Sequence, residues 1–193
     1  RQRSASRYET PAVLSSYLWS HFGDLLPDDQ ASDAYTRWAS LVRPHPGFCL
    51  DIGAAVGRFS FEMAGKCDFV VGLDNSRTFI RTARELLRHR RKTLILPDEG
   101  QLHLEAELQF PEGWRTDNME FIIGDAQTLP FRSHCFSSVV SLNMVDKLSR
   151  PLAHLQESSR VAKDKEAQFL LSDPFSWSPE AAPEDHWLGG LAK

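Results

Sequence analysis

The sequence predicts an α/β fold, a doubly wound and mostly parallel sheet with helices on both faces, and three observations predict it. Five short apolar runs of strand length recur along the chain: FCLDIG (48–53), DFVVGLD (68–74), MEFIIGD (119–125), FSSVVSLN (136–143) and QFLLSDP (168–174). Helix-like segments near 56–65, 76–91 and 150–162 alternate with them, the pattern of an open sheet covered on both sides. A glycine turn, DIGAAVG at 51–57, follows the first run directly and opens a helix, where glycines permit a tight turn and close backbone approach to a ligand.

Before the first strand, residues 11–22 (PAVLSSYLWSHF) and 30–43 (QASDAYTRWASLVR) carry apolar side chains at helical spacing. Thr10 before Pro11 supplies an N-cap and a proline at the first helical position. These helices are expected to form an N-terminal cap over 1–45, leaving 46–193 as the ligand-binding domain. The stretch 93–117 breaks the alternation: QLHLEAELQF after the turn signal PDEG reads as a β-hairpin insertion, either a surface excursion or part of a substrate wall.

With 193 residues, 41% of them hydrophobic and 25% charged, the chain can bury one sizeable core, so a single main site is expected. A net charge of −4 gives no pull toward nucleic acid. No apolar run approaches the roughly 18 residues of a membrane span, and the basic start (Arg1, Arg3, Arg7) leads into no signal-peptide core. The expectation is a cytoplasmic protein with neither nucleic acid nor membrane as partner. Cys49, Cys67 and Cys135 are far apart, and the histidines are equally scattered, so no metal site is expected and the thiols are read as reduced. The chain opens on Arg1 and stops on Lys193 just after a Gly-Gly pair, which reads as part of something longer.

Four of the five strand runs lead into an acid, Asp51, Asp74, Asp125 and Asp173. The carboxyl ends of parallel strands line the ligand crevice, so this spacing projects several carboxylates into one cleft. Taken singly, each of them serves equally well as a helix N-cap. In DIGAAVG, Ala55 and Arg58 stand where a dinucleotide fingerprint needs its second and third glycines, which makes a nucleotide oxidoreductase the weaker alternative.

The D-x-G-x-x-x-G arrangement instead resembles the first motif of class I S-adenosylmethionine-dependent methyltransferases of the type 11-like kind, and the acid of VVGLD and the run GDAQTLPF follow in that family's order. The resemblance implies a Rossmann-like sheet and S-adenosyl-L-methionine as cofactor. It further implies that Asp74 accepts from the ribose hydroxyls, that Asp125 meets the adenine amino group, and that the Ala126 amide meets a ring nitrogen. Gly53, Ala54 and Gly57 would face the methionine portion, Asp51 would organise the loop, Ile52 and Asn75 would provide walls, and Asn143 would close the set after the fourth strand. Family members finish the sheet with a sixth and a seventh strand, so with five runs this sheet is expected to be truncated before them.

The run SLNM (141–144) stands where enzymes acting on bases or glutamine carry (D/N)PP(Y/F), and the paired glutamates of protein-arginine methyltransferases are absent, so the acceptor is expected to be a small molecule. A closer resemblance, to the methyltransferase domain of ovothiol biosynthesis, rests on YET (8–10), YLWSHFG (17–23), CLDIGAAVGRFSFEMA, LPDEGQL, SDPFSWSPE (172–180) and WLGG (187–190). It implies a thiol-imidazole acceptor such as 4-mercaptohistidine. If the acceptor must lose a proton, Asp146, Asp173 and His21 are the candidate bases, although His21 reads more readily as packing on an amphipathic helix. Tyr8, Tyr17, Trp177 and Trp187 are candidates for an aromatic lid. Because every strong motif concerns the cofactor, a non-catalytic S-adenosylmethionine-binding protein remains the second hypothesis.

Overall fold

The computed structural model describes residues 8–26, 32–97, 99–100 and 102–190. The basic start (Arg1, Arg3, Arg7), the first two positions of the second predicted helix, Asp98 of the turn signal, Gln101 at the head of the alternating run, and the chain end at Lys193 lie outside the described residues.

The elements run α1 (Pro11–Phe22), α2 (Ala34–Leu41), β1 (Phe48–Ile52), α3 (Arg58–Met63), β2 (Phe69–Asp74), α4 (Arg77–His89), β3 (Arg91–Pro97), β4 (His103–Gln109), β5 (Met119–Ile123), β6 (Phe136–Leu142), α5 (Pro151–Val161) and β7 (Gln168–Ser172). Five strands form one sheet in the order β5-β2-β1-β6-β7, and every pairing in it is parallel. The chain steps outward from β1 through β2 to β5, then returns to the other side of β1 with β6. That reversal makes the carboxyl ends of β1 and β6 the topological switch point, where open sheets of this kind bind ligands.

Successive strand residues point to opposite faces, so one strand feeds two cores. Cys49, Val70 and Val140 join α1, α2, α3 and α4 in the larger core, whereas Leu50, Ile52, Leu73 and Val139 join Leu148 and Val161 in the smaller one. The helices begin where local chemistry starts them. Thr10 accepts from the Val13 amide at 3.4 Å with Pro11 following, Ser76 caps α4 through the Phe79 amide at 3.1 Å, and Pro151 opens α5. α1 and α2 share the larger core through Leu18, Phe22 and Ala39, so the N-terminal helices are packed onto the sheet layer.

β3 and β4 form the expected insertion as a separate antiparallel hairpin, with Leu94 and Leu108 buried in the larger core, Ile95 on the outer face, and Leu104 on the inner face but exposed toward the hairpin's tip. It lies against α1 and α4. The second helix is shorter than its apolar pattern predicts, because Val42 is already extended and Pro44 follows. Seven strands are described, five in the sheet and two in the hairpin, and this inventory gives no support to the expected truncation. No described helix is long and apolar enough to cross a membrane.

Candidate functional site

The turn after β1 is built on three left-handed residues in alternation: Gly53 (φ 78°), Ala55 (φ 48°) and Gly57 (φ 90°). At Gly57 an added Cβ would lie 2.6 Å from the Phe121 ring, so this glycine allows the loop to sink onto β5. At Gly53 the Cβ would lie 2.4 Å from the Met144 sulfur, so the chain after β6 presses against the end of β1 at the switch point. Ala55 occupies a region that costs an alanine about 1 kcal/mol, and its amide is held at 2.9 Å by the carboxylate of Asp74. The Gly53 and Ala54 amides both donate to the Leu73 carbonyl at 2.7 and 3.0 Å, which ties the start of the loop to the end of β2.

Asp51 and Asp74 sit at the carboxyl ends of β1 and β2. Asp51 is buried and takes a hydrogen bond of 2.6 Å from Ser60 on α3. Burial pushes its carboxyl up to about 7, with the nearby Asp74 adding to the shift against the hydrogen bond. Asp74 accepts from the Ala55 and Ser76 amides at 2.9 and 2.8 Å, and burial raises its pKa as well. The charged neighbour acting on each is another acid: Asp74 on Asp51, and Glu9 on Asp74. This corner of the crevice therefore holds two hydrogen-bonded carboxylates that burial and a neighbouring acid both push toward protonation.

Asp125 is exposed after β5, and its Oδ1 accepts from the Gln127 amide at 2.8 Å and the Gln127 side chain at 3.2 Å. Ala126 is buried beside it, Asn75 is exposed beyond Asp74, and Ile52 is wholly buried in the smaller core beneath the loop. Asn143 ends β6 in a left-handed turn (φ 55°), its amide donating to the Ser172 carbonyl at 2.6 Å.

The three candidate bases separate into two places. Asp146 and Asp173 meet beyond β6 and β7: the Asp146 amide donates to Asp173 Oδ2 at 3.2 Å, and Phe175 donates to Asp173 Oδ1 at 2.8 Å. Asp146 is fully buried, with Lys147 Nζ at 2.6 Å and the Ser176 amide at 2.7 Å on its Oδ2. His21 lies instead in the helical cap, its Nε2 paired with Tyr35 Oη at 2.7 Å. Burial, with Arg58 nearby, holds its pKa down to about 3, which makes it a weak base. The predicted aromatic lid divides in the same way. Tyr8 and Tyr17 pack edge to face at 6.0 Å and both reach Phe79, whereas Trp177 stacks on Trp187 at 6.1 Å.

Sequence reasoning passed over four residues that shape this site. Arg58 is buried and forks onto Asp24 at 2.6 and 3.0 Å, Glu62 at 2.7 Å, Thr36 at 2.9 Å and the His21 carbonyl at 3.1 Å, joining the cap to the glycine turn. Glu9 accepts from the Arg77 and Thr78 amides and the Thr78 hydroxyl, closing the start of α4. The others are Met144 over Gly53, and His154, buried on α5. Only the Arg58–Glu62 spacing of four residues gave any sequence signal.

Residues 50–167 match a family described as a methyltransferase domain. No curated protein matches. Among solved structures the chain is similar to the YcgJ protein of Bacillus subtilis (18% identity, TM-score 0.55, covering 72% of this chain and 50% of that one). It is similar to the [4+2]-cyclase SpnF (18%, 0.58, 84% and 56%). It is also similar to phosphoethanolamine N-methyltransferase 2 of Haemonchus contortus, solved with S-adenosyl-L-methionine (15%, 0.56, 80% and 31%). At these identities the likeness is one of fold. The chain spans about half the length of the first structures it matches.

Proposed function

The chain belongs to the methyltransferase domain family, class I and S-adenosylmethionine-dependent, and on that premise we propose that it transfers a methyl group from S-adenosylmethionine to a small-molecule acceptor. The observation that carries this reading is Asp74, a partly buried carboxylate at the end of β2 whose hydrogen bonds come from backbone amides, leaving it open on one side to a ligand. A vicinal diol would bring it two donors, so the residues present fit the ribose of that cofactor.

In this reading residues 1–45 cap the cofactor side and 46–193 carry the binding fold. Asp74 holds the ribose, and Asp125 and the Ala126 amide recognise adenine. Gly53, Ala54 and Gly57 keep the loop low enough for the methionine portion, with Asn75 and Asn143 at its rims. Asp51, bonded to Ser60, and Ile52 below the turn fix the loop's shape. The cofactor supplies a methyl group already activated on a sulfonium, so the protein's task is to hold the acceptor in line in a dry cleft. Asp173, half-buried beside Asp146, is the base to test for an acceptor that must lose a proton. The first acceptor to test is a thiol-imidazole such as 4-mercaptohistidine, on the strength of the YET, YLWSHFG and SDPFSWSPE segments.

S-adenosylmethionine binding without transfer is the second reading, because the most closed part of the site lies on the cofactor side. Turnover with any acceptor separates the two. Isothermal titration of S-adenosylhomocysteine into wild type and Asp74→Ala is the first test. Binding that weakens by about tenfold or more in the variant is expected, equivalent to about 1.4 kcal/mol. No binding by the wild type overturns the reading.

A further inference from the structure

Helix α5 presents a polar row to the loop after β5. Gln127 Oε1 accepts from the Ser149 hydroxyl at 3.0 Å and the Arg150 amide at 2.8 Å, just before the helix begins. His154 Nδ1 meets the Ala126 carbonyl at 3.1 Å. Glu157 accepts from the Leu129 amide at 2.7 Å, and Arg160 donates to the Leu129 and Phe131 carbonyls at 3.1 and 2.8 Å. The spacing from 150 to 154, 157 and 160 is one helix face, so a single element grips the loop from Ala126 to Phe131.

His154 is the buried member of that row. The Ala126 carbonyl can only accept, so Nδ1 carries the proton, and Nε2 then accepts from the Ser141 hydroxyl at 2.8 Å. Burial depresses the pKa of the ring, which keeps it neutral in this role. Ser141 lies on β6 opposite Ile52, the last residue of β1 before Gly53. The imidazole thus joins the loop after β5 to the switch point. The peptide between Ala126 and Gln127 has its carbonyl on His154 and its N–H on Asp125 Oδ1, the oxygen that also takes the Gln127 side chain. Fixing the carbonyl fixes the plane of that peptide and therefore the direction of the N–H that orients the Asp125 carboxylate.

We propose that His154 is a positioning residue for purine recognition: through the Ala126–Gln127 peptide it turns Asp125 so that one carboxylate oxygen faces the amino group of adenine. This rests on the cofactor reading above. It predicts discrimination between adenine and hypoxanthine, whose carbonyl oxygen would meet the same carboxylate without a donor.

The test is titration of S-adenosylhomocysteine and S-inosylhomocysteine into wild type, His154→Asn and His154→Gln. Asparagine places an amide N–H near the Nδ1 position and keeps the bond to Ala126, while glutamine reaches the Nε2 position and keeps only Ser141. The expected result is a wild-type preference for the adenosyl ligand that survives in His154→Asn and narrows about tenfold in His154→Gln, chiefly through the adenosyl ligand. Equal behaviour of the two variants, or equal loss for the two ligands, overturns the proposal. Wild type that binds neither ligand overturns the cofactor reading itself. Should either variant fail to fold, nitrogen-15 NMR of histidine-labelled wild type decides the matter, since a proton on Nε2 of His154 instead of Nδ1 removes the link.

Discussion

The two sides of β1 are built differently. Toward β2 and β5 the loops are closed by buried polar pairs: Ser60 on Asp51, Ala55 on Asp74 and the Arg58 fork on Asp24 and Glu62. On the other side β6 is buried along its whole length, but toward β7 the cover is thinner. No residue of β7 is fully buried, Phe169 is half exposed, and the turns rely on Asn143 and Phe175 in left-handed conformations at φ 55° and 52°. On the proposed function, the first side would serve as a preformed mould and the second would keep surface for a ligand of less fixed shape. The contrast matches a cofactor that one fold binds repeatedly and an acceptor that must be accommodated case by case.

The largest effect expected from breaking this contrast is on the closed side. Arg58→Met should leave the acids Asp24 and Glu62 largely buried without their cation and cost about 3–5 kcal/mol in urea unfolding. A loss below about 1 kcal/mol would mean that the fork is incidental to stability.

Next in size are two opposed pH dependences on the same side. Asp51, raised from 3.8 to about 7, keeps its proton in the folded state where the unfolded chain has lost it, so stability falls as pH rises from about 4 to 7. His21, lowered from 6.5 to about 3, is protonated only in the unfolded chain over nearly the same range, so its contribution is lost as pH falls through that range. The two tend to cancel in the wild type. Asp51→Asn should therefore steepen the loss of stability toward acid, and His21→Gln should reverse it, each by on the order of a few kcal/mol across the range. Urea midpoints measured from pH 4 to pH 8 that run parallel in all three proteins would contradict both assignments.

The smallest effect belongs to the open side. Trp177→Ala removes half of the Trp177–Trp187 stack, worth about 1 kcal/mol, and should raise the acceptor KM several-fold while leaving S-adenosylhomocysteine affinity unchanged. A change in cofactor affinity instead would place the stack on the other side of the contrast.

Legibility in the sequence follows the same division. The five sheet strands lie within the five apolar runs, because parallel strands buried on both faces need uninterrupted Val, Ile, Leu and Phe, and an acid or polar residue marks each end. The hairpin was equally plain from the alternation in QLHLEAELQF. What stayed hidden depends on contacts between distant segments. Nothing near Asp24 or Glu9 announces their partners Arg58 and Thr78, and Met144 over Gly53 follows only from where β6 ends. Ala55 in a left-handed turn is the reverse case, since local preference argues against it and the Asp74 carboxylate imposes it.

The strand order also governs how the chain can be assembled as it is synthesised. β1 leaves the ribosome early and finds β2 soon afterwards, but its other neighbour, β6, is made only after the hairpin and β5. Until then one edge of the central strand and the apolar side chains Leu50 and Ile52 have no cover. Closing so long a loop is the slow event in forming a parallel sheet, so the nascent chain passes through a period in which its central strand is open to wrong partners. The switch point that creates the crevice is thus also a late seam in synthesis, followed only by the pairing of β7 onto β6.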